Sequence, residues 1–138
     1  GYISSRPFVG ERAPQHIQNL VIRAYCDRHG FQYLLSATEF AMPDCFMMLV
    51  QLLEDIENLD GVVCYSLNQL PSDNKTRNAP LGAVIAAGRS VHFAVESISV
   101  KDWADTRRVE DIVQARPLLP TCLSLGKLRA VVRAYPDG

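Results

Sequence analysis

The 138-residue sequence lacks the features that most directly reveal a function. Its four cysteines and three histidines are scattered, with no Cys-x-x-Cys pair and no histidine at metal-ligand spacing, so we expect no metal site. No apolar run approaches the 18 residues that indicate a membrane span, and no signal peptide is visible. We therefore expect no membrane insertion, and the scattered cysteines favour the reducing cytoplasm.

An excess of charge of either sign is also absent. Fourteen Lys and Arg residues face fifteen Asp and Glu residues, which leaves a net charge of −1. Domains that bind nucleic acids usually carry a basic excess, so we expect no nucleic-acid partner. Apolar residues make up 48% of the chain, which is enough for one hydrophobic core of ordinary domain size.

The spacing of apolar residues predicts strands that alternate with helices. Strands are predicted over 2–6, 31–37, 61–67 and 91–97, with helices starting at Pro14, after Asp44 and at Asn78, and over 106–115. This order indicates an α/β domain of three layers over residues 1–100, with a mostly parallel, four-stranded sheet. Residues 101–138 are expected to form a helical extension that packs on the domain or on a partner. Its last part has apolar residues at helical spacing: Leu128, Val131, Val132 and Tyr135.

Two resemblances to known families follow from short motifs. Residues 2–6, Gln18-Asn19-Leu20 and 62–70 (VVCYSLNQL) resemble the catalytic domain of serine recombinases, the resolvase family, over roughly residues 1–98. This resemblance implies the strand order 2-1-3-4 and a homo-oligomer. The strings GYISSRPF, LLSATEFAMP and DGVVCYSLNQLP resemble the sporadic carbohydrate cluster proteins, small bacterial proteins found among surface-polysaccharide genes. The second resemblance implies a role in the biosynthesis of surface carbohydrates of the O-antigen type.

The departures from the recombinase pattern argue against DNA strand transfer. The first recombinase strand reads Tyr-x-Arg-x-Ser, whereas here Ser4 takes the place of the arginine and Arg6 that of the nucleophilic serine. The Leu-Asp-Arg-Leu after the third strand is Leu67–Leu70 (LNQL), and the next expected arginine is Ser72. Strand transfer needs several arginines to stabilise the phosphodiester transition state, so we expect no recombinase activity.

Ligands of such sheets bind beyond the carboxyl ends of the strands, where the strand order reverses. In the implied order this point lies between the first and third strands. The candidate catalytic residues are Ser5, Arg6 and Glu39, and the candidate ligand-binding residues are Gln18, Ser66, Asn68, Gln69 and Arg12. Hydroxyls and amides around a guanidinium suit a sugar phosphate or nucleotide sugar, with Arg6 on the anion. No cofactor is expected.

Two alternatives stay open at this point. The same polar side chains can cap helices and close loops, and the chain can be a non-catalytic assembly or regulatory module. A glycosidase-like pair of Glu39 and Glu96 is not expected. Their strands lie three positions apart in the implied order, which corresponds to roughly 14 Å at ~4.8 Å per strand.

Overall fold

The computed structural model describes residues 1–5 and 13–115, and they form one mixed α/β unit. Its strands are β1 Tyr2–Ser4, β2 Ala37–Glu39, β3 Gly61–Cys64, β4 Ser90–Phe93 and β5 Ile98–Val100. Its helices are α1 Gln15–His29, α2 Met47–Glu54, α3 Asn74–Ala86 and α4 Trp103–Ala115. Short 3-10 turns cover Ile56–Asn58 and Leu67–Gln69. The predictions for Arg6, Arg12 and residues 127–135 lie outside the described residues.

The five strands form one sheet in the order β2-β1-β3-β4-β5. β1 pairs with β2 and β3 in parallel, β3 pairs with β4 in parallel, and β5 is antiparallel to β4. The predicted α/β class and the order 2-1-3-4 are therefore confirmed, with a fifth strand added at one edge. No helix among the described residues is long and apolar enough to cross a membrane.

Consecutive residues of each strand point to opposite faces of the sheet, so each face has its own core. On one face α1 packs through Ile22 and Tyr25 against Ile3 and Val63. On the other face α2, α3 and α4 pack against Tyr2, Val62 and other sheet residues, through Leu49, Leu53, Leu81, Val84 and Val109. These two helix layers and the sheet are the three layers that the sequence predicts.

The second strand differs from its prediction. It was expected over 31–37, but β2 covers only Ala37–Glu39, and 31–36 lie outside any strand. Ala37 pairs with Tyr2, the first residue of β1. Segment 31–36 precedes that pairing, and its Leu35 carbonyl oxygen accepts a hydrogen bond from the amino group of Gly1 at 2.8 Å.

Two further elements also depart from the predictions. α3 begins at Asn74 rather than near Asn78, because the Asp73 side chain caps it by accepting hydrogen bonds from the backbone N–H and hydroxyl of Thr76. Pro80 then lies inside the helix. The strand predicted over 91–97 ends at Phe93, and a turn leads into β5. Ser97 has a φ of 54° in this turn, a conformation that the sequence does not signal because glycine or asparagine usually adopts it.

A buried ion pair connects α3 to α4. The Arg77 guanidinium donates from Nε and Nη2 to the two carboxylate oxygens of Glu110, at 2.8 and 2.7 Å. Its Nη1 donates to the carbonyl oxygens of Pro71 and Ser72, both at 2.9 Å. Arg77 is 2% exposed, so these partners replace the water that its charge has lost. This side chain therefore fixes the loop before α3 and the position of α4 together.

We expect Arg77→Ala to lower the free energy of unfolding by about 3–5 kcal/mol, because it leaves the Glu110 carboxylate without its partner. Urea unfolding measured by circular dichroism checks this value. Arg107→Ala, an exposed position on α4, is the matched control and should change stability by less than about 0.5 kcal/mol. Equal effects of the two substitutions would contradict a special role for Arg77.

Candidate functional site

The carboxyl ends of β1 and β3 lie side by side at the point where the strand order reverses. α1 follows β1 on one face of the sheet, and α3 follows β3 on the other face. In open α/β sheets such a point leaves a crevice between the two connections. The structure brings Ser4, Gln18, Ser66 and Gln69 together here, and hydrogen bonds of the two glutamine side chains connect them.

Gln18 is buried in the first turn of α1, and its side chain uses every donor and acceptor that it has. Its Oε1 accepts from the backbone N–H of Ser4 at 3.0 Å and from Nε2 of Gln69 at 2.8 Å. Its Nε2 donates to the carbonyl oxygens of Ser4 at 2.7 Å and Ala13 at 2.8 Å. Since an amide has two donor hydrogens and two acceptor lone pairs, the Gln18 side chain is fully satisfied within the protein.

Gln69 completes the connection from the side of β3. Its Oε1 accepts from the backbone N–H groups of Tyr65 at 2.9 Å and Ser66 at 3.3 Å. Together with the bond to Gln18, these contacts hold the end of β3 to the end of β1 through two buried side chains. We call this pair the Gln18–Gln69 brace. The sequence predicts both residues for this crevice as ligand contacts, and the structure shows that both stabilise the backbone that forms it.

Glu96 reaches the same edge from the turn after β4. Its Oε1 accepts from the Ser66 hydroxyl at 2.7 Å, and its Oε2 accepts from the backbone N–H of Leu67 at 3.1 Å. The Ser66 hydroxyl oxygen accepts in turn from the backbone N–H of Asn68 at 3.1 Å, which caps the 3-10 turn. Ser66 is buried, whereas Glu96 and Asn68 are partly exposed. Glu96 is not among the candidate residues predicted from the sequence, although its position after a predicted strand was the available signal.

Three partly exposed polar residues follow the strands at this carboxyl edge. They are Ser5, which follows β1, Asn68, which follows β3, and Glu96, which follows β4. We call them the polar rim. A hydroxyl, an amide and a carboxylate are hydrogen-bonding groups that match the hydroxyls of a polyol. Arg6 and Arg12, the cationic candidates of this site, lie outside the described residues.

Glu39 is the last residue of β2 and is 1% exposed. Its carboxylate lies at the amino end of α2. Its carboxylate accepts from the backbone N–H groups of Phe40, Met48 and Leu49 at 3.1–3.2 Å and from the Tyr2 hydroxyl at 3.1 Å. Burial acts to raise the pKa of Glu39, but the hydrogen bonds from these N–H groups and the Tyr2 hydroxyl outweigh it, and the pKa lies below its usual value of 4.5. The carboxylate is therefore ionised at neutral pH.

This arrangement gives Glu39 a structural role, because its carboxylate supplies acceptors to α2, a helix without any acidic residue in its own first turn. A catalytic role for Glu39 stays a prediction. Glu39 contacts α2 and Tyr2, whereas Glu96 contacts the connection after β3. The two carboxylates thus serve different elements, in agreement with the strand order.

Two other titratable side chains of the described residues, Cys64 and His92, are buried. Burial raises the pKa of the Cys64 thiol to about 12, so this cysteine stays protonated. His92 bonds through Nδ1 to the Tyr25 hydroxyl and through Nε2 to the Ser90 hydroxyl, both at 2.9 Å. In residues 1–5 and 13–115 no group of three or more His, Cys, Asp or Glu side chains is arranged to hold a metal ion.

The fold has counterparts among solved structures. The chain is similar to a resolvase family site-specific recombinase from Streptococcus pneumoniae, with a TM-score of 0.60 and 9% identity over 99% of this chain and 97% of that chain. It is also similar to the N-terminal catalytic domain of TP901-1 integrase, with a TM-score of 0.57 and 21% identity over 89% of this chain and 97% of that one. No protein-family model matches the sequence, and no curated protein is significantly similar to it. These similarities establish a fold of the resolvase catalytic type.

We expect Glu39→Gln to lower the free energy of unfolding at pH 7 by about 1–3 kcal/mol, since the new amide hydrogens face N–H donors in a buried site. The folded-state pKa of Glu39 is depressed, so its ionic stabilisation is present above pH 4.5 and is lost as the pH falls further. The difference in the free energy of unfolding between the wild type and Glu39→Gln should therefore narrow below about pH 4.5. Urea unfolding between pH 7 and pH 3 measures it.

Glu54→Gln is the control for this experiment, because Glu54 is exposed at the other end of the same helix. It should leave stability at pH 7 nearly unchanged. Parallel stability profiles for the wild type and Glu39→Gln across the whole pH range would show that the carboxylate does not cap α2.

Proposed function

We propose that this chain is a resolvase-fold protein that binds a sugar phosphate or a nucleotide sugar at the carboxyl edge of β1 and β3. Its role is in bacterial surface-carbohydrate biosynthesis in the cytoplasm, and it does not transfer DNA strands. The fold supports the location of the site, since the order reverses between β1 and β3. The biological role rests on the resemblance of three sequence strings to the sporadic carbohydrate cluster proteins.

The proposal rests on the burial and the hydrogen bonds of Gln69. The recombinase pattern places an arginine at this position, and an arginine there would supply positive charge to a phosphodiester. Here the position holds a neutral amide that is buried and bonded to Gln18 and to the backbone of β3. The fold is thus kept while a charge that strand transfer requires is replaced by a structural hydrogen bond.

The polar rim supports a carbohydrate rather than DNA as the ligand. Glu96 presents a carboxylate at the crevice, and a negative charge repels the phosphodiester backbone of DNA. A carboxylate has about four acceptor positions, and Glu96 uses two of them on Ser66 and Leu67. The remaining positions suit sugar hydroxyls, which donate hydrogen bonds. The phosphate of the ligand is assigned to Arg6 on the sequence alone.

A second candidate is a non-catalytic module that assembles with other proteins or with itself. It is supported by the internal use of Gln18, Gln69 and Glu39, because these side chains serve the fold. It is also supported by a concentration of exposed apolar side chains in the region 31–50, namely Phe31, Leu34, Leu35, Phe40, Met42, Met47 and Val50. Exposed apolar surface of this extent is typical of interaction sites.

We expect UDP-glucose, UDP-N-acetylglucosamine or glucose 1-phosphate to raise the melting temperature of the protein. A ligand at 100 times its Kd adds about 2.7 kcal/mol to stability. Asn68→Ala should weaken that binding by about two- to tenfold, through the loss of one neutral hydrogen bond. Arg6→Ala should weaken it by about tenfold or more, through the loss of a charge-assisted bond.

Gln114→Ala, an exposed amide on α4, is the matched control and should bind as the wild type does. Isothermal titration calorimetry on each variant supplies the affinities. No response to any of the three compounds, together with an oligomer seen by light scattering, would overturn the carbohydrate proposal and support the assembly module.

We expect no nicking or recombination of supercoiled DNA, even at low salt, where electrostatic binding is strongest. The physical reason is the neutral amide at Gln69 together with the net charge of −1. An agarose-gel nicking assay measures this, with Ser5→Ala as the comparison. Cleavage by the wild type that disappears in Ser5→Ala would refute this part of the proposal.

A further inference from the structure

The side of α2 that faces away from the sheet carries exposed apolar side chains. Met47, Val50, Gln51 and Glu54 stand at positions i, i+3, i+4 and i+7, so they lie along one side of the helix. Met47 is 63% exposed and Val50 is 50% exposed. We call these four residues the α2 outer face. The outward side of a surface helix is usually polar, so neighbouring apolar side chains there indicate a contact surface.

The surroundings of this face are acidic. Residues 31–74 contain seven Asp and Glu residues and no Lys, Arg or His. Glu54, Asp55 and Glu57 are exposed at the C-terminal end of α2 or just beyond it, and they form no ion pair within residues 1–5 and 13–115. Asp60 is paired with Arg89 at 3.6 Å. A partner of the α2 outer face would therefore gain from positive charge around an apolar stripe.

The C-terminal part of the sequence has this composition. Residues 116–138 hold four basic residues and one acidic residue, whereas residues 1–115 hold ten basic and fourteen acidic residues. Lys127, Arg129 and Arg133 lie between the apolar residues at helical spacing that the sequence analysis identified. Those apolar residues are Leu128, Val131, Val132 and Tyr135. Segment 127–135 thus combines an apolar stripe with positive charge, which complements the α2 outer face.

The direction of α4 brings the chain to the edge of the sheet where α2 begins. Near its start α4 contacts the middle of α3, since a Cβ on Gly82 would lie 3.0 Å from the Trp103 ring. Further along, Glu110 of α4 bonds to Arg77 in the first turn of α3. Because α3 starts after the carboxyl end of β3, α4 runs towards the carboxyl edge. α2 also starts at that edge, where the Glu39 carboxylate at the end of β2 accepts its first N–H groups.

The length of the connection is sufficient for segment 127–135 to reach the α2 outer face. α3 packs against both α2 and α4 on the same face of the sheet. Neighbouring helices pack at about 8–10 Å, so α2 and α4 are about 20 Å apart. Residues 116–126 can span up to about 36 Å when extended. A connection of this length keeps the segment at a high effective concentration near α2, which favours contact within one chain over contact between chains.

We propose that segment 127–135 covers the α2 outer face of its own chain, with its apolar residues on Met47 and Val50 and its basic residues beside the carboxylates around Glu54. The contact does not rest on the function proposed for the polar rim. It gives the exposed apolar residues of α2 a partner within the chain, whereas an assembly module needs a partner from another molecule.

Nuclear Overhauser effects (NOEs) between methyl groups test the contact directly on the full chain. In protein labelled at the methyl groups of Met, Leu and Val, we expect NOEs between Met47 and at least one of Leu128, Val131 and Val132. An equal mixture of two differently labelled samples separates the two possible sources of the segment. We expect no NOE between different chains in that mixture.

Val131→Asp tests the apolar half of the proposal. The variant places a charge in the apolar stripe, so it should remove these NOEs, shift the amide resonances of residues 47–54 and lower the melting temperature by about 3 °C or more. Ala130→Asp is the matched control, because it introduces the same charge on the opposite side of the helical pattern from Leu128 and Val132. It should keep the NOEs and leave the melting temperature nearly unchanged.

A pair of substitutions at Gln51 tests the charge complementarity. We expect Gln51→Glu to have a higher melting temperature than Gln51→Lys, because the segment on this face is basic. The helix alone predicts the reverse order, since a lysine there is four residues before Asp55 and nearer to the negative end of the helix dipole. Gln114, exposed on α4 after Glu110 and Asp111, is the control, and its lysine variant should be the more stable one.

Three results would overturn the proposal. NOEs to Met47 that arise only between different chains would assign the α2 outer face to a second copy. The absence of NOEs from Met47 to segment 127–135, together with unchanged resonances of 47–54 in Val131→Asp, would leave the segment without this role. A Gln51→Lys variant that is more stable than Gln51→Glu would show that no basic segment covers the helix.

Discussion

The hydrogen bonds of one buried amide, that of Gln18, hold the centre of this fold together. Among the described residues, β1 pairs with β3 through Tyr2 and Cys64, and the two strands end side by side. The Gln18 side chain bonds to both backbone groups of Ser4 and, through Gln69, to the backbone that follows β3. The bonds to Ser4 and the bond between the two glutamines are buried, so each is costly to break. The brace thus connects the carboxyl ends of β1 and β3 through side chains as well as through the sheet.

Side chains also bond to the backbone at the ends of other short helices and strands. The Glu39 carboxylate accepts the N–H groups at the start of α2, Glu96 accepts the N–H of Leu67, and Arg77 donates to the carbonyl oxygens before α3. Backbone groups that leave a strand or begin a helix lack partners within that element, and buried side chains supply them here. The polar residues at the carboxyl edge therefore form an inner set, Gln18 and Gln69, that holds the backbone and an outer rim of Ser5, Asn68 and Glu96, in which Glu96 also accepts from the backbone of Leu67.

The two edges of the sheet differ in chemistry. The carboxyl edge has hydroxyl, amide and carboxylate groups over a hydrogen-bonded base, whereas the residues at the amino edge are largely apolar, among them Leu34, Leu35 and Leu59. α1 extends between the two edges, with Gln18 near one end and Cys26 near the other. The alternation of side chains along the strands leaves both faces of the sheet for helix packing, so only the edges remain for polar chemistry.

The sequence by itself determined the α/β class and the mostly parallel sheet, because hydrophobic periodicity reports these directly, and its resemblance to serine recombinases implied the strand order. It also located Gln18, Ser66 and Gln69 at one crevice. Only the tertiary structure decided that β2 starts at Ala37, that α3 starts at Asn74 and that a fifth strand follows Ser97. It also decided that the Gln18 amide is saturated by the backbone. Register and hydrogen-bond partners are set by residues that are distant along the chain, such as Tyr2 for Ala37 and Gln69 for Gln18, and local sequence patterns do not contain that information.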